Sequence, residues 1–370
     1  MDGRLVLQSF YQRLEQQSAS TPVTFLIIVI NVAIFIAMLF SGAGFWHSPN
    51  GVQLSWGANF APATQDGEWW RLGRAIFLHL GVMHLLVNSL ALWDIGQLAE
   101  RMYGRMRFVT IYLLSGLFGN LLSLVMQGNQ AVSGGASGAI FGIYAAALVF
   151  LWRERAEIAV HEFRWLFGGG LLFALLSIGM GFVVSGIDNS AHIGGFVSGM
   201  LLCIALSKSL SARAMPRKYS LLAALCLVIM TALLVIKLPQ PKYRWSDELL
   251  LRSQINAFLY ENQEINRQWL AVLHDGKQGN KTFEELASKI DFAILQPYES
   301  SHDKLSQLPA DPALPSAQQL ENLIRYTETR KQEFQTLVEE LKRKQATMQP
   351  DAASEETKEN ITEATIDLAP

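Results

Sequence analysis

Cysteine is nearly missing from this chain. Two occur in 370 residues, Cys203 and Cys226, and both fall inside apolar runs. That placement excludes a disulfide framework and reads both thiols as small core hydrophobes. Net charge is close to missing as well: the formal value of −2 supplies no basic surface for a polyanion, so nucleic acid is not an expected partner. A cleavable leader is not expected either, because the first apolar run starts after about 20 mixed residues, has full spanning length and lacks a cleavage signature. Lysine and arginine are absent from three stretches, around 42–68, 127–136 and 185–189. Internal repeats and acidic residues within the apolar runs, which a transporter with a polar midplane site would need, are not evident.

What is present divides the chain in two. Residues 22–238 hold seven apolar runs of about 20 residues, long enough for a hydrocarbon core of about 30 Å. They lie near 22–41, 75–97, 107–126, 137–153, 165–184, 190–207 and 219–238. The basic residues sit in the alternate loops: Arg101, Arg105 and Arg107 after the second span; Arg153, Arg155 and Arg164 after the fourth; Lys208, Arg213, Arg217 and Lys218 after the sixth. By the positive-inside rule the N-terminus is cytoplasmic and seven spans leave the C-terminal region outside. The fold class is therefore all-α: a polytopic transmembrane helical bundle with a helical extramembrane domain. The domain reading is a cytoplasmic N-terminal segment at 1–21, a six-span core at 22–207, a cytoplasmic loop and seventh helix at 208–239, a helical extracytoplasmic domain at 240–347, and a disordered acidic tail at 348–370.

Beyond Pro239 and Pro241 the chain is polar. Ser246 reads as the N-cap of a helix carrying Ile255, Phe258, Leu259, Ile265, Trp269 and Val272 and ending at Asp275-Gly276. A shorter helix spans about 283–295, before Pro297. Ser316 to Gln319 reads as a capping box, followed by a heptad-like stripe, Leu320, Ile324, Thr327, Lys331, Phe334, Val338 and Leu341. That stripe is core or a surface for a protein partner. His274 and His302 stand isolated in loop contexts and form no catalytic set.

The chemistry is in the spans. Gly135-Ala136-Ser137-Gly138 opens the fourth span, and Ala191-His192 opens the sixth. A serine among small residues usually marks close helix packing, and Gly138 and Gly142 form such a surface. Gly195 and Gly199 lie three and seven residues after His192, on the same helix face. Packing the two glycine faces together brings His192 toward Ser137, where imidazole takes the serine proton and returns it to a leaving amine. Ser137 at a helix start also has free backbone N–H groups beside it, which can hold an oxyanion. No acidic partner is evident, since Asp188 falls in a loop, so the pair reads as a dyad. His84 and Asn88, four apart in the second span, project from one face at the same depth and suit oxyanion stabilisation. His79 lies about 140° around the same helix from His84, an unsuitable pairing for a metal; no metal or other cofactor is expected. In the predicted topology His84, Ser137 and His192 all lie in the outer portions of their helices. Trp70 and Arg71 carry the ordinary interfacial reading of a belt aromatic and a snorkelling cation.

Taken together, Trp70-Arg71 in a long first outer loop, His79, His84 and Asn88, the Gly135–Gly138 run, and Ala191-His192 with Gly195 and Gly199 resemble the rhomboid family of intramembrane serine proteases. The resemblance covers about residues 22–207. It implies a six-helix core, here followed by one more span, and cleavage of single-span membrane proteins within or near their transmembrane segment. By that resemblance Ser137 is the nucleophile, His192 the general base, and His84 with Asn88 the oxyanion donors, supported by Gly135. One departure concerns Phe141, four residues after the serine, where some bacterial members carry a tyrosine packed on the histidine; a phenyl ring still orients imidazole by stacking. The first loop and a fifth loop, Val184 to Asn189, frame and cap the site. The expected partners are transmembrane protein substrates and the lipid bilayer, and the expected location is a bacterial inner membrane. The strongest rival is a rhomboid-like protein without activity that binds and sorts membrane clients.

Overall fold

The computed structural model describes residues 9–206, 216–279, 281–309 and 311–347. It divides into two compact units, one reaching Pro241 and one starting at Lys242. Among the described residues all regular elements are helices, apart from one antiparallel bridge between Asn59 and Ser133. The 348–370 tail and the basic residues Lys208 and Arg213 lie outside the described residues.

In the first unit a short helix α1 (Phe10–Gln17) precedes α2 (Pro22–Phe40). A capping box between Ser9 and Gln12 starts α1, whose Phe10 and Leu14 join the buried core. The first loop carries three short helices, α3 (Asn50–Ser55), α4 (Ala61–Gln65) and α5 (Arg71–Arg74). Then come α6 (Val82–Tyr103), α7 (Arg105–Gln127), α8 (Ser137–Arg153), α9 (Val160–Val183), α10 (Asn189–Ala205) and α11 (Arg217–Ile236). Five of these, α2, α6, α7, α9 and α11, are long and apolar enough to cross a membrane. The other two, α8 and α10, have 17 residues each, about 26 Å of helix, short of a hydrocarbon core of about 30 Å.

α8 is the centre of the bundle. It packs against α6, α7, α9 and α10 and is buried along almost its whole length. By contrast α9 buries only Ala174 and α11 only Ala223. The tightest seam runs between α8 and α10. A Cβ placed on Gly195 would fall 1.9 Å from the Gly138 carbonyl oxygen, and one on Gly199 would fall 2.2 Å from that of Gly142. Backbone touches backbone there, an approach that only residues without side chains allow.

The second span differs from the expectation of 75–97. Residues 75–77 form a single 3-10 turn, the chain from Leu78 to Gly81 is non-helical, and α6 then runs on to Tyr103. Ala75, Ile76 and Leu78 are apolar because protein buries them, which hydropathy cannot distinguish from burial in lipid. At the far end Arg101, expected in the loop, and Glu100 beside it lie within α6. Glu100 is fully buried because its carboxylate caps α2, accepting from the N–H groups of Val23 (3.2 Å) and Thr24 (2.8 Å) and from the Thr24 hydroxyl (2.8 Å).

In the second unit α12 (Trp245–Gln278) and α15 (Ala317–Thr347) sandwich a bent helix made of α13 (Phe283–Ile290), a wide turn at 291–295, and α14 (Gln296–Ser306). The expected stop before Pro297 does not occur. Proline lacks an N–H and its ring crowds the carbonyl four residues back. Here the preceding turn opens to an i→i+5 bond, Gln296 N–H to Asp291 O, which relieves that clash and lets the helix continue. Other cap assignments shift too: α12 begins at Trp245 rather than after Ser246 and ends at Gly279 in the left-handed region. The Ser316 hydroxyl donates to buried Glu248 at 2.7 Å. His274 and His302 lie within α12 and α14, not in loops. The stripe residues Leu320, Thr327, Phe334, Val338 and Leu341 are buried, with Phe334 meeting Trp269 edge-on at 5.0 Å. The stripe is core.

Candidate active site

Ser137 is the first residue of α8. The first intrahelical bond there is Ile140 N–H to Ala136 O, so the N–H groups of Ser137, Gly138 and Ala139 have no acceptor inside the helix. The chain reaches this point through Gly135, whose φ is +150° and whose N–H is held by the Ala75 carbonyl at 2.9 Å. Gly135 also has to be small. A Cβ on it would lie 2.7 Å from Cε1 and 2.9 Å from Nε2 of His84, and 3.8 Å from Ser137 Oγ. His84 and Ser137 therefore face each other across a bare backbone.

The polarity of His84 follows from its other nitrogen. Nδ1 accepts the Leu80 N–H in a long contact of 3.5 Å, which leaves the proton on Nε2, the edge turned to Gly135. Asn88 is buried, and its side-chain amide donates to the His84 carbonyl at 3.0 Å. His79 is not on the helix. It is fully buried just before α6, neither ring nitrogen has a hydrogen-bond partner, and its ring centroid lies 5.2 Å from that of His84.

His192 comes from α10, where it is 7% exposed. A Cβ on Gly138 would lie 3.1 Å from the Ala191 carbonyl, so the residues next to each, Ser137 and His192, occupy adjoining positions on the two helices. Phe141, one turn after Ser137, stacks on the imidazole with centroids 4.3 Å apart and planes 15° from parallel. Among the described residues no hydrogen bond joins Ser137 Oγ directly to His192, and His192 Nδ1 has no partner. Asp188 does not meet the imidazole by hydrogen bond. Its carboxylate caps α10 by accepting from Ala191 N–H (3.0 Å) and also accepts from the Ser123 hydroxyl (2.5 Å) and Gln127 (3.4 Å).

Sequence reasoning misread Arg71. It is not a snorkelling cation but is 4% exposed, donating to the Leu54 and Ala58 carbonyls (2.8 and 3.2 Å) and pairing with Glu68 at 2.6 Å. The Trp70 ring lies over its guanidinium at 4.9 Å. Arg71 thus fastens the first loop, which in turn holds the chain leading into α8: Asn59 and Ser133 exchange backbone hydrogen bonds of 2.8 and 3.0 Å, and the Asn59 amide donates to the Asn120 carbonyl on α7. Among the described residues no group of three or more His, Cys, Asp or Glu is placed to hold a metal ion.

Comparison with known proteins bears on the same segment. A family model for the Rhomboid domain matches residues 66–209. The chain is 36% identical over 206 residues to the rhomboid protease GluP of Bacillus subtilis, covering 55% of this chain and 39% of that protein. It is 40% identical to the putative rhomboid protease YdcA of the same organism over 37% of this chain and 67% of that protein. It is 30% identical to the rhomboid protease AarA of Providencia stuartii over 49% of this chain and 71% of that protein. The chain thus spans well under two thirds of GluP. With its apolar helices it is an integral, multi-pass membrane protein. It belongs to the rhomboid family.

Proposed function

We propose that the chain is an intramembrane serine endopeptidase that cleaves single-span membrane proteins within or near their transmembrane segment. One observation carries this reading: Phe141, on the Ser137 face of α8, clamps the His192 ring at 4.3 Å beside a serine whose other neighbour is the Nε2 edge of His84. In the proposed reaction Ser137 Oγ attacks the scissile carbonyl carbon while the His192 imidazole takes its proton. The oxyanion is met by His84 Nε2–H, by Asn88 and by the free N–H groups at the start of α8. As the C–N bond breaks, His192 returns the proton to the leaving amine. Water then attacks the acyl ester with His192 again as base, releasing the second fragment and restoring Ser137. Substrates and bilayer supply the partners, and the chemistry calls for no cofactor.

The loop arginines support an orientation with the N-terminus in the cytoplasm and the C-terminal unit outside a bacterial inner membrane. Membranes containing the full chain should label with a fluorophosphonate probe and cleave a single-span client. Ser137→Ala and His192→Ala should each abolish both while inserting normally. Labelling that persists in Ser137→Ala refutes the nucleophile. Full-chain membranes that take up no probe and cut no client turn the reading to the client-binding alternative.

A further inference from the structure

The fifth loop is exposed from Val184 to Gly186 but ends in two anchors. Asp188 is the N-cap of α10, the helix that carries His192. Its Oδ1 accepts from the Ala191 N–H at 3.0 Å and from Gln127 Nε2 at 3.4 Å, while Oδ2 accepts from the Ser123 hydroxyl at 2.5 Å. Ser123 and Gln127 belong to α7, so one carboxylate closes the first turn of α10 and fastens it to a second helix. Asn189 makes the other anchor. Its side-chain amide donates to the Ile178 carbonyl on α9 at 3.2 Å, in a notch where a Cβ on Gly181 would fall 2.0 Å from Asn189 Oδ1.

Ser123 carries the connection further. It is 2% exposed, and its one proton goes to Asp188, so the Ser133 hydroxyl 3.5 Å away donates to it. Ser133 lies four residues before Ser137, and its backbone is held by Asn59. One hydroxyl thus stands between the chain that delivers Ser137 and the helix that delivers His192. The residue before His192 has little slack: a Cβ on Gly119 of α7 would fall 2.6 Å from the Ala191 carbonyl oxygen, and one on Gly138 of α8 would fall 3.1 Å from it. A first turn of α10 that loosened would free this wedge and move the imidazole with it.

We propose that Asp188, joined to Ser123, is a positioning residue that sets the first turn of α10 so that His192 meets Ser137. This rests on the protease reading of Ser137 and His192. The role is geometric rather than electrostatic: the carboxylate is engaged by donors from α7 and from the α10 backbone, and no hydrogen bond joins it to the imidazole. An amide at position 188 can therefore serve, because asparagine ranks with aspartate as an N-cap and the Ser123 hydroxyl can accept as well as donate.

The test compares full-length protein in proteoliposomes as wild type, Asp188→Ala, Asp188→Asn, Ser123→Ala and the double alanine variant. Each is assayed on a single-span client at a temperature well below its Tm. Asp188→Ala should lower kcat about 30-fold with KM within about twofold, somewhat less than the loss that a full 1 Å misplacement can cause. Asp188→Asn should recover the rate to within about threefold of wild type, the two residues being near-equal caps. Ser123→Ala should cost about fivefold, and the double variant should be no slower than Asp188→Ala, because both changes remove one contact. An Asp188→Asn rate as low as that of Asp188→Ala overturns the proposal, since charge and not capping would then act. So does a lower Tm with kcat unchanged, or single costs that multiply in the double variant. Hydrogen exchange of the amides at 189–192 reads the joint without catalysis. It should quicken about tenfold in Asp188→Ala, the scale of a lost cap, quicken less in Ser123→Ala, and stay near wild type in Asp188→Asn. If the wild type neither labels with fluorophosphonate nor cleaves, the protease reading fails, while this exchange pattern still supports the hold of Asp188 on α10. Exchange indifferent to Asp188→Ala overturns it.

Discussion

Gly195→Ala is the sharpest perturbation of the proposed machinery. The added Cβ would lie 1.9 Å from the Gly138 carbonyl oxygen, where real contacts almost never fall below 3.0 Å. The obstacle is backbone, so no side chain can rotate away, and α10 has to retreat from α8 by about 1.1 Å. His192 sits one turn before Gly195 on the same face, so the retreat carries the imidazole away from Ser137. A misplacement of about 1 Å in a catalytic group can cost on the order of 10²-fold, while overpacking of this kind costs about 1–3 kcal/mol of stability. kcat/KM on a single-span client in proteoliposomes should therefore fall about 100-fold, alongside a lower Tm. Gly199→Ala makes a similar clash, 2.2 Å from the Gly142 carbonyl, but lies seven residues, about 10 Å, from His192. It should lose comparable stability and much less activity. Gly168→Ala, with nothing within 4 Å, should change neither. Gly195→Ala protein that is correctly inserted and cleaves within about twofold of wild type would refute the claim that this backbone contact positions the histidine.

Three further outcomes test the ring on His192, the buried acid of the second unit and the separateness of the two units. Phe141→Leu removes the ring stacked on His192, worth about 0.5–1.5 kcal/mol; kcat should fall about three- to tenfold with KM little changed, while Phe141→Tyr keeps the rate. In the second unit Glu248 is fully buried and accepts from Ser316 Oγ, Ser316 N–H and Arg252 Nε. Glu248→Ala should lower the stability of a fragment spanning 242–347 by about 1–3 kcal/mol on chemical denaturation. A membrane-inserted chain ending at Pro241 should cleave a single-span client within about twofold of the full chain.

Spans and glycine faces were legible in the sequence because both are local patterns: apolar length marks α2, α7, α9 and α11, and three- and four-residue spacing marks the small-residue faces of α8 and α10. What escaped depends on contacts distant in sequence. Glu100 fell beyond the expected second span, 75–97, because its partners, Val23 and Thr24, lie more than 70 residues away. Arg71 read as a belt cation because nothing in its own neighbourhood announces the Leu54 and Ala58 carbonyls that it ties together. Residues 75–81 counted as span because buried loop and lipid-facing helix have the same composition. Asp94 was passed over because an average over 20 residues hides a single charge. In the second unit Pro297 signalled a stop correctly by local rules, and the i→i+5 turn at Asp291 overrode it.

Helix length and loop anchoring together explain why a polar cluster can exist here at all. At about 26 Å, α8 and α10 are shorter than a hydrocarbon core of about 30 Å, so in a bilayer non-helical chain would run at membrane depth at one end of each, and in the proposed reading that chain precedes Ser137. Such chain is tolerated only where protein or water satisfies its polar groups. The first loop does this: Ala75 takes the Gly135 N–H, and Asn59 exchanges both backbone bonds with Ser133. Arg71 in turn holds the loop by its own carbonyls. The N–H groups of Ser137, Gly138 and Ala139 at the start of α8 then remain unspent on the loop. A short α8 that set its first turn below the membrane surface would place these helix-start donors where the proposed oxyanion needs them, and the loop's hydrogen bonds keep that arrangement from costing orphaned backbone groups elsewhere.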